Sequence, residues 1–313
     1  MKKLFILSGG VGSEREVSLL SGRNVVDTLR EDGVLCEEII VEKDKSFVYQ
    51  GVTMSEKEGL DFLKKENALV FQQIHGTYGE DGELVHKLEE RGIAYIGSSS
   101  DVLTLTINKY ETENILRENN IVTTQSVLAK SQSDIPSGVP FPCIIKPNKE
   151  GSSVGVIKVR NKNELQEAIK VSLKEHAEIL VQRCIEGREF SCGTLEIDGR
   201  PVALPVTEVI LTKGDMFDYK AKYTVDGCRE VTPAEVDEEV TKRIQDVALK
   251  VHIVTGCKDI SRTDMILSSS GEIVVLEINT IPGMTKTSFI PEEMRVAGHT
   301  LSKFVEGMVK KYS

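Results

Sequence analysis

SRTDMILSSSGEIVVLEINTIPGMTKTS, residues 261–288, is the stretch on which the reading of this chain turns. It reads as two strands joined by a polar hairpin at Ser268–Gly271, with a proline–glycine turn behind them. The second strand, Glu272–Ile278, is rich in β-branched residues yet carries one charge that does not fit, Glu277, followed closely by Asn279. Side chains two apart on a strand share a face. Arg262 and Asp264 therefore face one way, as do Glu277 and Asn279, and pairing across the hairpin lets all four converge. Two carboxylates and an amide oxygen suit a hard cation such as Mg²⁺, which takes oxygen ligands and leaves room for phosphate and water. Arg262 beside them would neutralise a phosphate or a developing oxyanion. The plainer alternative is a solvated hairpin with ordinary surface charges.

With 313 residues and 40% hydrophobic content, the chain is long enough for two or three cores. A net charge of −10 argues against nucleic acid as the main partner. The six cysteines are scattered, with no C-x-x-C pair and no zinc spacing, as expected of thiols in a reducing compartment. The apolar run at the start is too short for a signal-peptide core, and no run approaches the roughly 20 residues of a membrane span. The expectation is a cytoplasmic protein with no membrane partner.

Residues 1–105 alternate strand and helix, with strands at Leu4–Ser8, Leu35–Val41, Ala68–Gln72 and Ala94–Ile96, which implies a mostly parallel sheet. Ser13 is expected to cap the first helix, with Glu16 as its capping-box partner. The glycine loop before it is not a dinucleotide fingerprint, because Arg15 stands where the third glycine belongs. Glu14, in the first helical turn, would repel a pyrophosphate and would hold an ammonium group. His75 lies in a glycine-punctuated loop, HGTYGEDGE, just past the third strand. Such loops at strand carboxyl ends carry ligand sites in open α/β sheets. Further on, strands Cys143–Lys146 and Val156–Val159 flank a Gly/Ser/Lys loop that can cradle phosphate through its backbone and hydroxyls, and Lys146 would reach the same anion. The long polar segment 210–227, with Tyr219, Lys220, Lys222 and Tyr223, reads as a lid.

In order along the chain, SEREVS, HGTYGEDG, Lys109, KPNKEGSSVG, FDYKAKY, SRTDM and LEINTIPGMT resemble the D-alanine–D-alanine ligases of the ATP-grasp superfamily, over nearly the whole span from Ser8 to Phe304. The resemblance implies an α/β chain with an ATP-grasp fold. Residues 1–105 would form an N-terminal parallel-sheet, Rossmann-like domain. Two α+β lobes, 106–185 and 186–313, would enclose ATP. It implies ATP-driven joining of two D-alanines through an acyl phosphate, for peptidoglycan precursors, in a cytoplasmic homodimer. Lys109 and Lys146 would bind ATP phosphates, with Ser152 and Ser153 closing over them. Adenine would sit near Gln182, Arg183 and Ile185, and Glu189 would hold the ribose. Asp264, Glu277 and Asn279 would hold two Mg²⁺ or Mn²⁺ ions. Arg262 and the Gly283 N–H would stabilise the tetrahedral intermediate. Glu14 would anchor the first ammonium, near His75, and Lys222 and Ser288 would hold the second carboxylate. Tyr223 and Ser152 would link to Glu14 and close the lid. Phe217 and Phe289 depart from the family pattern, and Phe289 bears on the choice of nucleophile. Sister ligases using D-serine or D-lactate, or another ATP-grasp carboxylate–amine ligase, are the alternatives.

Overall fold

The computed structural model describes residues 2–151, 154–212 and 227–313. Three sheets follow one another along the chain. The first has strands β1 (Lys3–Gly9), β2 (Glu37–Val41), β3 (Phe47–Tyr49), β4 (Val52–Met54), β5 (Ala68–Gln72) and β6 (Ala94–Tyr95), in the order β4-β3-β2-β1-β5-β6. Its β2-β1-β5-β6 portion is parallel, as the strand–helix alternation predicts, and β3 and β4 add an antiparallel ribbon at one edge. Helix α1 (Arg15–Glu31) covers one face, while α2 (Glu56–Lys65) and α3 (Glu83–Glu90) cover the other.

The expected capping box at Ser13 and Glu16 is absent. Helix α1 begins at Arg15, and Glu14 is the N-cap residue without a side-chain cap bond. Arg15 folds back to donate to Gly10 O at 3.2 Å and to Glu42 at 2.6 Å, so the loop is closed from the helix side. A true capping box stands at Ser55 and Glu58, opening α2.

The second sheet is antiparallel throughout: β7 (Ser126–Ala129), β8 (Cys143–Pro147), β9 (Ile157–Val159) and β10 (Ile179–Arg183), in the order β7-β10-β8-β9. Helices α4 (Ser100–Ile107) and α5 (Lys109–Glu118) lead into it, and α6 (Lys162–Glu175) packs on it. Its core, including Ala129, Cys143, Ile145, Val159, Leu165 and Ile179, is its own.

The third sheet has β11 (Gly187–Ile197), β12 (Arg200–Ala203), β13 (Thr207–Leu211), β14 (Cys228–Val231), β15 (Ile260–Ser268) and β16 (Ile273–Asn279). The order is β14-β13-β11-β15-β16, and β12 pairs with the far end of β11. Helix α7 (Glu238–Val254) covers one face. Part of the other face, with α8 (Phe289–Val296) and α9 (Leu301–Lys311), packs against the first sheet. Leu4, Ile6 and Leu69 thus share a core with Leu195, Ile290, Phe304 and Val305. The expected lid segment starts and ends on one ribbon, since Leu211 and Cys228 are paired.

Candidate active site

The 261–288 hairpin forms as the alternation requires. In the β15–β16 register Arg262 stands opposite Asn279 and Asp264 opposite Glu277, with a bulge immediately after Asp264. Cross-strand partners share a face, so the four polar side chains lie side by side. Arg262 clamps Asp264 with two bonds, Nε to Oδ1 at 2.9 Å and Nη2 to Oδ2 at 2.6 Å. Ser191 on β11 adds a third, Oγ to Oδ1 at 2.7 Å. Burial disfavours the Arg262 cation, but the Asp264 charge and its hydrogen bonds outweigh that and raise the guanidinium's pKa. Ser191 was not singled out from sequence. Its signal is positional, because it faces Asp264 across β11–β15.

This face opens on a cleft of about 490 Å³ between the second and third sheets. Lys109, Lys146, Gln182, Ile185, Glu189, Asp264 and Glu277 all line it. Lys109 opens α5, donates to Glu150 O at 2.6 Å, and lies 3.6 Å from Glu277 Oε2. It therefore ties the loop after β8 to the hairpin. Lys146 points in from β8. Burial first, then repulsion from Lys109, push its pKa down to about 8, against the pull of Glu277. Gln182 lies against Ser126 at 3.0 Å. Its neighbour Arg183 is exposed and does not line the cleft, as strand alternation dictates. Asn148, also unforeseen, accepts Tyr110 N–H at 3.0 Å and donates to Glu178 at 2.9 Å, which fixes the start of the glycine–serine loop.

The loops of the first sheet close the other side. A Cβ placed on Gly151 would stand 2.8 Å from Glu14 Oε2 and 3.5 Å from Glu80 Oε2, so the loop after β8 runs directly over both carboxylates. Glu80, missed in the sequence reading, is buried, accepts Gly76 N–H at 3.0 Å and lies 3.6 Å from His75. His75 Nε2 is 3.4 Å from Ser21 Oγ, which accepts the Met284 N–H at 3.2 Å. Asn24 donates to Met284 O at 2.6 Å. Helix α1 thereby holds both His75 and the turn containing Gly283. Beyond that turn, Ser288 Oγ is within 2.7 Å of Thr285 Oγ1, and a Cβ on Gly283 would come within 2.9 Å of it. The Phe289 ring centre is 5.3 Å from Arg262 Cζ. Ser152, Ser153, Phe217, Lys222 and Tyr223 lie outside the described residues.

The donor set fits a Mg²⁺ or Mn²⁺ ion. Among the described residues no three His, Cys, Asp or Glu side chains form a cluster. The candidate ligands are two carboxylates paired across strands and one amide oxygen. That is the ligand complement Mg²⁺ takes when phosphate and water complete its shell. Arg262 and Ser191 do not exhaust the lone pairs of Asp264.

The D-Ala–D-Ala ligase N-terminal family model matches residues 3–98, and the C-terminal model matches residues 104–310. The chain belongs to the D-alanine–D-alanine ligase family. A curated D-alanine–D-alanine ligase of Fervidobacterium nodosum is 36% identical, with 98% of each chain covered. Among solved structures, the VanG D-Ala:D-Ser ligase of Enterococcus faecalis has a TM-score of 0.83 at 29% identity, covering 100% of this chain and 99% of that one. The D-alanine–D-alanine ligase of Bacillus anthracis has a TM-score of 0.81 at 27% identity, covering 100% and 97%. The three-sheet architecture is accordingly the ATP-grasp fold of these ligases. Among the described residues no helix is long and apolar enough to cross a membrane.

Proposed function

We propose that this ligase joins two D-alanines into D-alanyl-D-alanine while ATP becomes ADP and phosphate. The observation that carries the reading is the Arg262–Asp264–Glu277–Asn279 face, whose carboxylates Asp264 and Glu277 line a cleft with Lys109 and Lys146, while the loop after β8 runs over Glu14 and Glu80. The lobes divide at about residues 105 and 185. ATP lies between the second and third sheets, with adenine toward Gln182 and Ile185, the Arg183 backbone beside them, and the ribose at Glu189. Lys109, Lys146, Ser152 and Ser153 hold its phosphates.

Phosphoryl transfer of this kind is mostly positioning and charge neutralisation. Glu14 pairs with the first D-alanine's ammonium, near His75, and so aims its carboxylate at the γ-phosphate. A carboxylate oxygen attacks phosphorus and ADP departs. The second D-alanine, held through its carboxylate by Lys222 and Ser288, brings its amine to the acyl carbon. Phosphate leaves and the amine gives up a proton. Arg262 and the Gly283 N–H meet the oxygen on which charge develops between these events. Tyr223 and Ser152, linked to Glu14, close the lid. Asp264, Glu277 and Asn279 would hold Mg²⁺ or Mn²⁺, which supplies positive charge to the phosphates when bound.

D-Alanine as acceptor is supported by curated D-alanine–D-alanine ligases at 33–36% identity over nearly the whole chain. By family analogy the enzyme is a cytoplasmic homodimer serving peptidoglycan precursor synthesis. The test is ADP and phosphate release with and without D-alanine, with the product identified by mass. Release that does not depend on D-alanine, or an ester or D-serine product made in preference, would overturn the reading.

A further inference from the structure

Helix α8 follows directly on the turn that carries Gly283 and Ser288, and its fully buried acid, Glu293, takes no part in the reaction above. Both its oxygens are bonded. Oε2 accepts the Gly193 N–H at 2.7 Å, and Oε1 accepts the Thr207 hydroxyl at 2.9 Å. Gly193 is the residue of β11 opposite Arg262. It lies where β11 exchanges partners, with residues 189–191 paired to β13 and 194–197 to β12. At that exchange Gly193 O takes the Leu204 N–H, and the Gly193 N–H would be an orphan inside the protein without Glu293.

The fit requires glycine. A Cβ on Gly193 would come within 2.4 Å of Ile290 Cδ1 and 2.7 Å of Glu293 Oε2. Phe289 lies four residues before Glu293, on the same side of the helix, and its ring rests against Arg262. Helix α8 therefore meets the Arg262 strand pair at two points, an aromatic ring beside the guanidinium and a carboxylate behind its backbone. A buried charge is a poor source of stability, since well-packed hydrocarbon in its place is often neutral or better. What the carboxylate supplies is a fixed rotation of the helix about its axis. Burial pushes its pKa up to about 8, with Thr207, Gly193 and Arg262 opposing.

We propose that Glu293 is a positioning residue for the acceptor amino acid, setting Ser288 and Phe289 in register with Arg262. The inference rests on the reading above, in which Ser288 meets the second D-alanine. Initial rates of ADP release, with D-alanine and ATP varied in turn, give KM for donor, acceptor and nucleotide. Glu293→Ala should raise the acceptor KM about tenfold and leave the other two within about twofold. Glu293→Gln keeps an acceptor for Gly193, and its amide NH2 can donate to Thr207 if that hydroxyl turns to Thr232, 2.7 Å away, so it should restore the acceptor KM. An equal rise in all three constants, a loss of Tm with every KM unchanged, or a glutamine variant no better than alanine would overturn the proposal. Should Glu293→Ala not fold, Thr207→Val removes one of the carboxylate's two donors and carries the same test. A wild-type enzyme that makes no D-alanyl-D-alanine overturns both the site reading and the proposal. A working wild type whose variants show no split overturns the proposal alone.

Discussion

If Lys146 holds ATP phosphates as proposed, nucleotide binding should weaken at alkaline pH. Its buried ammonium titrates at about 8 in the nucleotide-free protein. ATP needs it charged, because a neutral amine offers the phosphates no compensating charge. The apparent dissociation constant should therefore scale as one plus ten to the power pH minus pKa. At about pH 7 the correction is near a tenth, and at about pH 9 the affinity falls about elevenfold, close to 1.4 kcal/mol. Calorimetric titration with ATP in buffers of different ionisation enthalpy checks this, with uptake of nearly one proton per ATP at about pH 9. In Lys146→Arg the guanidinium stays charged, and the bend should vanish. Wild-type affinity that stays flat across this range would refute the reasoning. Stability of the nucleotide-free protein should run the opposite way. The lysine titrates near 8 folded and 10.5 unfolded, so the unfolded chain binds more protons between those values, and stability rises with pH across that window.

Three further outcomes follow from the hairpin and the loop above Glu14. Asp264→Asn leaves the buried Arg262 without its counter-charge and should cost about 3–5 kcal/mol in urea unfolding, along with activity. Glu277→Gln keeps the side chain's shape at a more open position. It should abolish phosphate release while the urea midpoint barely moves; near-normal turnover would refute the ligand assignment. Gly151→Ala puts a methyl 2.8 Å from Glu14 Oε2 and should raise the KM of the donor D-alanine by about tenfold, with the ATP KM little changed; equal effects on both would show that Glu14 does not serve the donor.

The hairpin was readable because strand alternation is strict. With Ser268–Gly271 as the turn, the faces of Arg262, Asp264, Glu277 and Asn279 follow, and the register agrees. Ser191, Asn148 and Glu293 are not readable, because each acts through a partner on another element; Glu80 bonds within its own loop, to Gly76 beside His75, and no spacing pattern marks it. Ser191 meets Asp264 from 73 residues away in sequence, and Glu293 meets Gly193 from 100. The capping box shows the limit of local pattern. Ser13–Glu16 and Ser55–Glu58 carry the same spacing, but only the second forms, since Arg15 ties the first loop to Gly10 and Glu42. The edge ribbon β3–β4 was missed because Phe47–Tyr49 and Val52–Met54 are only three residues each, too short for an alternation to register. The strands that flank the expected lid at 210–227, Thr207–Leu211 and Cys228–Val231, give no signal in the sequence because they are short and border a polar stretch.

The core shared by the first sheet and the last helices sets the order in which the molecule is completed during synthesis. Strand β1 leaves the ribosome long before α8 and α9, with Leu4 and Ile6 facing a layer that includes Phe304, Val305 and Met308. Until α9 has been made, that face is covered only by Val25, Val26 and Leu29 of α1. The middle sheet needs only residues 126–183 to enclose its own core. The middle sheet is thus finished before the first, whose apolar face stays partly open until α8 and α9 have been made.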